Sequence, residues 1–153
     1  MKLIFSILAL NLAVSGIACA DDRDAGVRAT IQTFYKNFNE GFTAPADYAT
    51  EDWNHINPNG GRNQGREPTL RRLREVHQTF LKGAKETIES MDVRFAADGV
   101  AVGTVISVSS PFVSPDGRKH DLQRGIRTFV IVKRGDRWLI MQDHNTTVVR
   151  SPR

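Results

Sequence analysis

The sequence predicts one α+β domain, with helices packed into a curved, mostly antiparallel sheet. Three observations carry this. Apolar residues recur at helical spacing through the first half of the chain, and the second half reads as four consecutive strands joined by short turns. The helices are also amphipathic, so their stripes need a sheet face to cover them. No repeat or low-complexity segment interrupts the pattern.

In the helical half, Val27, Ile31, Phe34 and Phe38 fall on one helix face. Asp21, Asp22 and Asp24 suit the positive end of that helix, and Gly41 suits its stop. Thr43-Ala44-Pro45 reads as the cap and first turn of a short second helix. A strand follows from Trp53 to Asn57, with Trp53, His55 and Asn57 on one face, and Pro58-Asn59-Gly60-Gly61 ends it. From Arg66 to Lys82 a third helix carries Leu70, Leu73, His77 and Phe80 on its stripe, closed by Gly83. The strands are Ile88 to Phe95, Val100 to Val108, Leu122 to Lys133 and Trp138 to Val148, with tight turns at Asp98-Gly99 and Gly135-Asp136.

The first residues read as an export signal. Lys2 precedes an apolar run from Leu3 to Val14, and Ala18-Cys19-Ala20 precedes the polar Asp21-Asp22-Arg23. The run is too short for a spanning helix, which needs about 20 apolar residues. The expected division is a signal peptide over 1–20, a domain over 21–149 and a tail over 150–153. This places the protein in the periplasm or outside the cell. Cys19 as a lipid-modified first residue ranks second, because Gly16 stands where a lipobox usually has Leu. Cys19 is also the only cysteine, so cleavage after Ala20 rules out a disulfide framework.

A formal charge of +4 with one tight basic cluster, Arg71, Arg72 and Arg74, fits a solvated helix face. With no nucleic-acid motif beside it, nucleic acid is not an expected partner. The histidines at 55, 77, 120 and 144 show no metal-ligand spacing, and no phosphate loop or nucleophile elbow is present. No metal and no cofactor is expected.

The order of elements resembles the SnoaL-like branch of the nuclear-transport-factor-two-like, or ketosteroid-isomerase-like, superfamily. The local words that carry the resemblance are Asp52-Trp53-Asn54-His55-Ile56, Gly65-Arg66, Arg127-Thr128-Phe129-Val130-Ile131-Val132-Lys133, Arg137-Trp138-Leu139-Ile140 and His144-Asn145-Thr146. The resemblance implies a cone-shaped domain, with the sheet wrapped around three helices and a pocket at the mouth. It also implies a small organic ligand and a homodimer through the sheet. The Asp, Tyr and Asp set of ketosteroid isomerases has no counterpart here, so no catalytic set is carried over.

The candidate pocket comprises Trp53, His55, Asn57, His77 and His144. His55 can give or take a proton near neutral pH, and the plain alternative is a hydrogen-bonded strand residue. His77, on an apolar stripe, reads first as a buried and satisfied histidine. In the last strand, alternation puts Trp138, Ile140, Gln142 and His144 on one face and Leu139, Met141, Asp143 and Asn145 on the other. The resemblance favours His144 toward the pocket. Arg124 and Arg127 fall on opposite faces of the preceding strand and could bind an anion, a surface salt bridge being the plainer reading. Two functions follow: a small-molecule pocket protein with acid/base chemistry of isomerase, cyclase or dehydratase type, or a non-catalytic binding or dimeric assembly module.

Overall fold

A computed structural model describes residues 15–149, with side chains described over 22–149. The expected signal run at 3–14 and the tail at 150–153 lie outside the described residues. The elements are α1 (Ser15–Asn39), β1 (Ala49–Ile56), β2 (Arg62–Gln64), α2 (Arg66–Gln78), β3 (Glu86–Ala97), β4 (Val100–Ser109), β5 (Phe112–Val113), β6 (Lys119–His120), β7 (Gln123–Arg134) and β8 (Arg137–Thr147). Six strands form one curved, open sheet in the order β2-β1-β8-β7-β4-β3. It is antiparallel apart from β1, which runs parallel to β8. A small hairpin, β5-β6, stands apart from it. No helix among the described residues is long and apolar enough to cross a membrane.

The described helices number two rather than three. α1 starts at Ser15, ahead of the aspartates expected to open it. The segment around Pro45 is a loop because side chains capture its carbonyls. Asn37 donates to the Ala44 carbonyl, and Arg74 donates to those of Phe42, Thr43 and Ala44. α2 stops at Gln78, since the Thr79 hydroxyl donates to the Glu75 and Val76 carbonyls and competes with the next helical turn. Phe80 therefore leaves the helix and is half-buried, whereas Leu70 and Leu73 are buried as expected.

The apolar stripe of α1 lies on the concave face of the sheet, with Val27, Ile31 and Phe34 fully buried. Gly103 permits that approach: a Cβ there would sit 2.6 Å from Ile31 Cδ1. Phe34 forms the hub of the core. The rings of Tyr35, Phe42, Tyr48, Trp53 and Phe129 meet it edge-on at 5.3 to 6.3 Å between centroids. Edge-to-face contacts of this kind add to the burial of the rings themselves.

The inner face of β8 changes parity part-way along. Ile131 pairs with Ile140 but Val130 pairs with Gln142, so Met141 is an extra residue in a β-bulge. Trp138 and Ile140 face inward before the bulge and Asp143 faces inward after it. This bulge decides which residues of β8 reach the interior.

A buried histidine–aspartate–arginine site

Alternation at the end of β1, after an irregular stretch between Ala49 and Asn54, sends Trp53 and His55 inward together, and both are buried. His55 pairs across the sheet with Asp143, and Asp143 pairs with Phe129, two residues from Arg127. The three polar side chains meet in the interior. Asp143 is 0 % exposed and its carboxylate is fully engaged by donors. Trp53 Nε1 donates to Oδ1 at 2.8 Å, Arg127 Nη1 donates to Oδ2 at 2.6 Å, and His55 Nδ1 lies 2.9 Å from Oδ2 and 3.1 Å from Oδ1.

Burial opposes the charge on Asp143, but His55 and then Arg127 outweigh it and hold the carboxyl below its ordinary range. Burial also opposes the charge on Arg127. Asp143 and Glu86, the latter at 3.9 Å, more than offset that, and the guanidinium lies 4.8 Å from the centroid of the Phe34 ring. A carboxylate can only accept, so the His55 nitrogen facing Asp143 carries its hydrogen. In the neutral imidazole this leaves Nε2 with a free lone pair. Among the described residues Nε2 makes no hydrogen bond, nor is it among the polar atoms wholly sealed from solvent.

The network continues on the other side of Arg127. Ser107 donates to Glu86 at 3.1 Å, and the Tyr35 hydroxyl lies 3.5 Å from Ser107. Burial pushes the Tyr35 hydroxyl above its usual pKa, so it stays a neutral donor. The same holds for Tyr48, whose oxygen accepts from the Asn37 amide at 3.2 Å.

The other expected site residues do not join this cluster. Asn57 is a turn residue: its Oδ1 accepts from the backbone N–H groups of Asn59 and Gly61, both at 2.9 Å. His77 is buried as expected but unsatisfied. Its ring sits 4.5 Å from Phe38 and 5.2 Å from Phe42, and Nε2 has no partner among the described residues. Burial, helped by Lys85, pushes its pKa down to about 4. It borders an open groove of about 720 Å³ with Arg74 and Lys85, and a second groove of about 550 Å³ lies by Trp138 and Pro45. Neither groove is lined by His55. His144 corrects the sequence reading outright. It is exposed and pairs with Ile56, on the sheet face opposite His55, because the Met141 bulge turns the end of β8 by one residue. No cluster of potential metal ligands occurs among the described residues.

Solved structures share this architecture. A protein of cystatin-like fold from Caulobacter vibrioides superposes with a TM-score of 0.78 at 25% identity, covering 84% of this chain and 91% of that one. An NTF2-like protein with a cystatin-like fold from Novosphingobium aromaticivorans gives 0.70 at 14% identity, covering 88% and 87%. This chain has the NTF2-like fold. A hexachlorocyclohexane dehydrochlorinase, LinA type 2, superposes with a TM-score of 0.74 at 11% identity, over 85% of this chain and 88% of that one. No protein-family model matches the sequence, and no curated protein matches it significantly. Within the NTF2-like fold, then, the α+β reading is as expected. Asp143 is the site residue that the sequence concealed. Arg127 looked like half of a surface salt bridge, a description that fits Arg124, which pairs with Glu89 at 2.8 Å.

Proposed function

We propose that this chain is an exported small-molecule pocket protein that removes a proton from its ligand with His55. One observation carries the reading: His55 Nδ1 is fixed on a buried Asp143, and His55 Nε2 has no hydrogen-bond partner among the described residues. A carboxylate behind an imidazole holds its tautomer and orientation and stabilises the imidazolium once the proton arrives. Arg127 keeps Asp143 ionised. The dehydrochlorinase of the same fold supports the reaction class, since loss of hydrogen chloride removes a proton from carbon. Cleavage after Ala20 would also leave Asp21, Asp22 and Asp24 at the positive end of α1, where acidic side chains are favoured. We extend the proposal to a homodimer through the outer sheet face.

The test uses 5-nitrobenzisoxazole, an activated carbon acid. His55 Nε2 takes the ring C–H proton, the C–H electron pair forms the nitrile, and the N–O bond breaks to release a coloured cyanonitrophenolate. His55→Gln and Asp143→Asn should each lower the rate at least about 100-fold, the usual scale of a positioned base. Equal rates for the native protein and His55→Gln would end the proposal. One observation favours a non-catalytic binding module instead: the aromatic rings fill the interior and both grooves lie away from His55. The same assay separates the two readings.

A further inference from the structure

Around His55 the concave face carries a set of polar groups that the histidine–aspartate pair does not use. Asn63 of β2 pairs with His55, and Asn145 of β8 pairs with Arg127. Paired residues share a sheet face, so both asparagines lie on the side of the His55–Asp143–Arg127 cluster. Each is partly exposed, and neither side chain makes a hydrogen bond among the described residues. Beside Asn145 the floor is bare backbone. Gly125 presents no side chain, and a Cβ there would lie 3.2 Å from Asn145 Oδ1. Any larger residue at 125 would crowd that amide.

The charges of the region are already committed. Arg127 is its buried cation, and it serves Asp143 at 2.6 Å and Glu86 at 3.9 Å. Two carboxylates against one guanidinium leave the wall behind His55 formally negative by one unit when the imidazole is neutral. Arg124 points to the other face and is held by Glu89. A carboxylate or phosphate ligand would therefore meet like charge and, among the described residues, no free cation at the site. An uncharged ligand would meet two open carboxamides, each able to donate and accept.

We infer that Asn63 and Asn145 are the ligand's hydrogen-bonding contacts on either side of His55. The ligand is then an uncharged molecule with polar groups at both ends. This rests on the proposed placement of the ligand at His55. β2 and β8 flank β1, and Asn145 lies two residues beyond Asp143, so the two asparagines stand roughly 12 Å apart, two inter-strand spacings across and two residues along. That span matches a bicyclic ring with a substituent at each end. Ligands are commonly held in this way, with a few fixed polar groups setting orientation and apolar surface supplying affinity.

The probes are 2-acetyl-6-methoxynaphthalene and its anionic near-isostere 6-methoxy-2-naphthoate, titrated into the full-length protein with nitrogen-15 label. The ketone should move the side-chain amide signals of Asn63 and Asn145 saturably, and the naphthoate should bind at least about tenfold more weakly. Asn63→Ala and Asn145→Ala should each weaken ketone binding roughly five-fold, the worth of one neutral hydrogen bond. Both sites are partly exposed, so an unchanged Tm in each variant separates lost contacts from lost folding. Equal or tighter binding of the naphthoate, no saturable shift with the ketone, or variants that bind like the native protein would each overturn the inference. Ketone binding through both asparagines without benzisoxazole turnover would instead remove the proton-transfer proposal and leave this one standing.

Discussion

Asp143 accepts from Trp53, His55 and Arg127 and has no contact with solvent. An amide cannot replace it, because its NH2 group would face donors and Arg127 would lose its nearest countercharge. Asp143→Asn should cost about 3–5 kcal/mol of unfolding free energy, measured in urea, as expected when one partner of a buried ion pair is removed. The folded-state pKa of Asp143 is depressed, so its stabilisation is complete above the unfolded value near 4 and is lost as pH falls through the folded value. His77 acts in a neighbouring window. Its folded pKa of about 4 lies below the unfolded 6.5, so between these the unfolded chain binds a proton that the folded chain refuses. Stability should therefore fall as pH drops from about 6.5 to 4. Urea midpoints of His77→Leu should be flatter across that range, and a slope parallel to the native protein would contradict the burial account.

At the level of elements, α2 offers the clearest contrast. Leu70 is 1 % exposed inside the helix, whereas Phe80 lies beyond its end and is half-buried. Leu70→Ala should cost about 2–5 kcal/mol and Phe80→Ala distinctly less; equal losses in thermal melts would place the helix end wrongly. The sequence conveyed the presence of both helices because Val27, Ile31, Phe34 and Leu70, Leu73 repeat at the helical period. It did not convey where α2 ends, since Leu81 extends the apolar pattern while the stop comes from one threonine hydroxyl. Nor did it show the loop at Pro45, which depends on Arg74, about 30 residues further along the chain. His55 was legible because β1 alternates from Trp53 to Ile56, past the irregular stretch that precedes Asn54. Asp143 was not, because a bulge shifts parity and leaves little trace beyond a strand with mixed faces.

Over the whole molecule, the outer sheet face remains to be covered. Val102, Ile106, Val108, Ile126, Val130 and Leu139 lie on it, with Ile126 38% exposed. Apolar area of this kind is normally shielded by a partner. The native protein should sediment as a dimer at micromolar concentration and Ile126→Arg as a monomer; a monomeric native protein would remove the dimer. Export belongs to this scale too. Mass spectrometry should find a mature chain beginning at Asp21, while an acylated Cys19 or an intact Met1 would replace that expectation.

The Met141 bulge also bears on how this strand can change length over descent. A strand with one residue to spare can lose one. Without Met141 the ladder would run regularly from Ile140 to Gln142, and Asp143 would keep its inward place beside His55. Loss of Thr128 from the unbroken β7 ladder would instead turn Arg127 outward and strip Asp143 of its cation. Single-residue deletions in these two adjacent strands therefore carry unequal consequences. Lineages of this chain should vary in length at Met141 and hold β7 constant, and a folded, His55-competent protein lacking Thr128 would contradict that asymmetry.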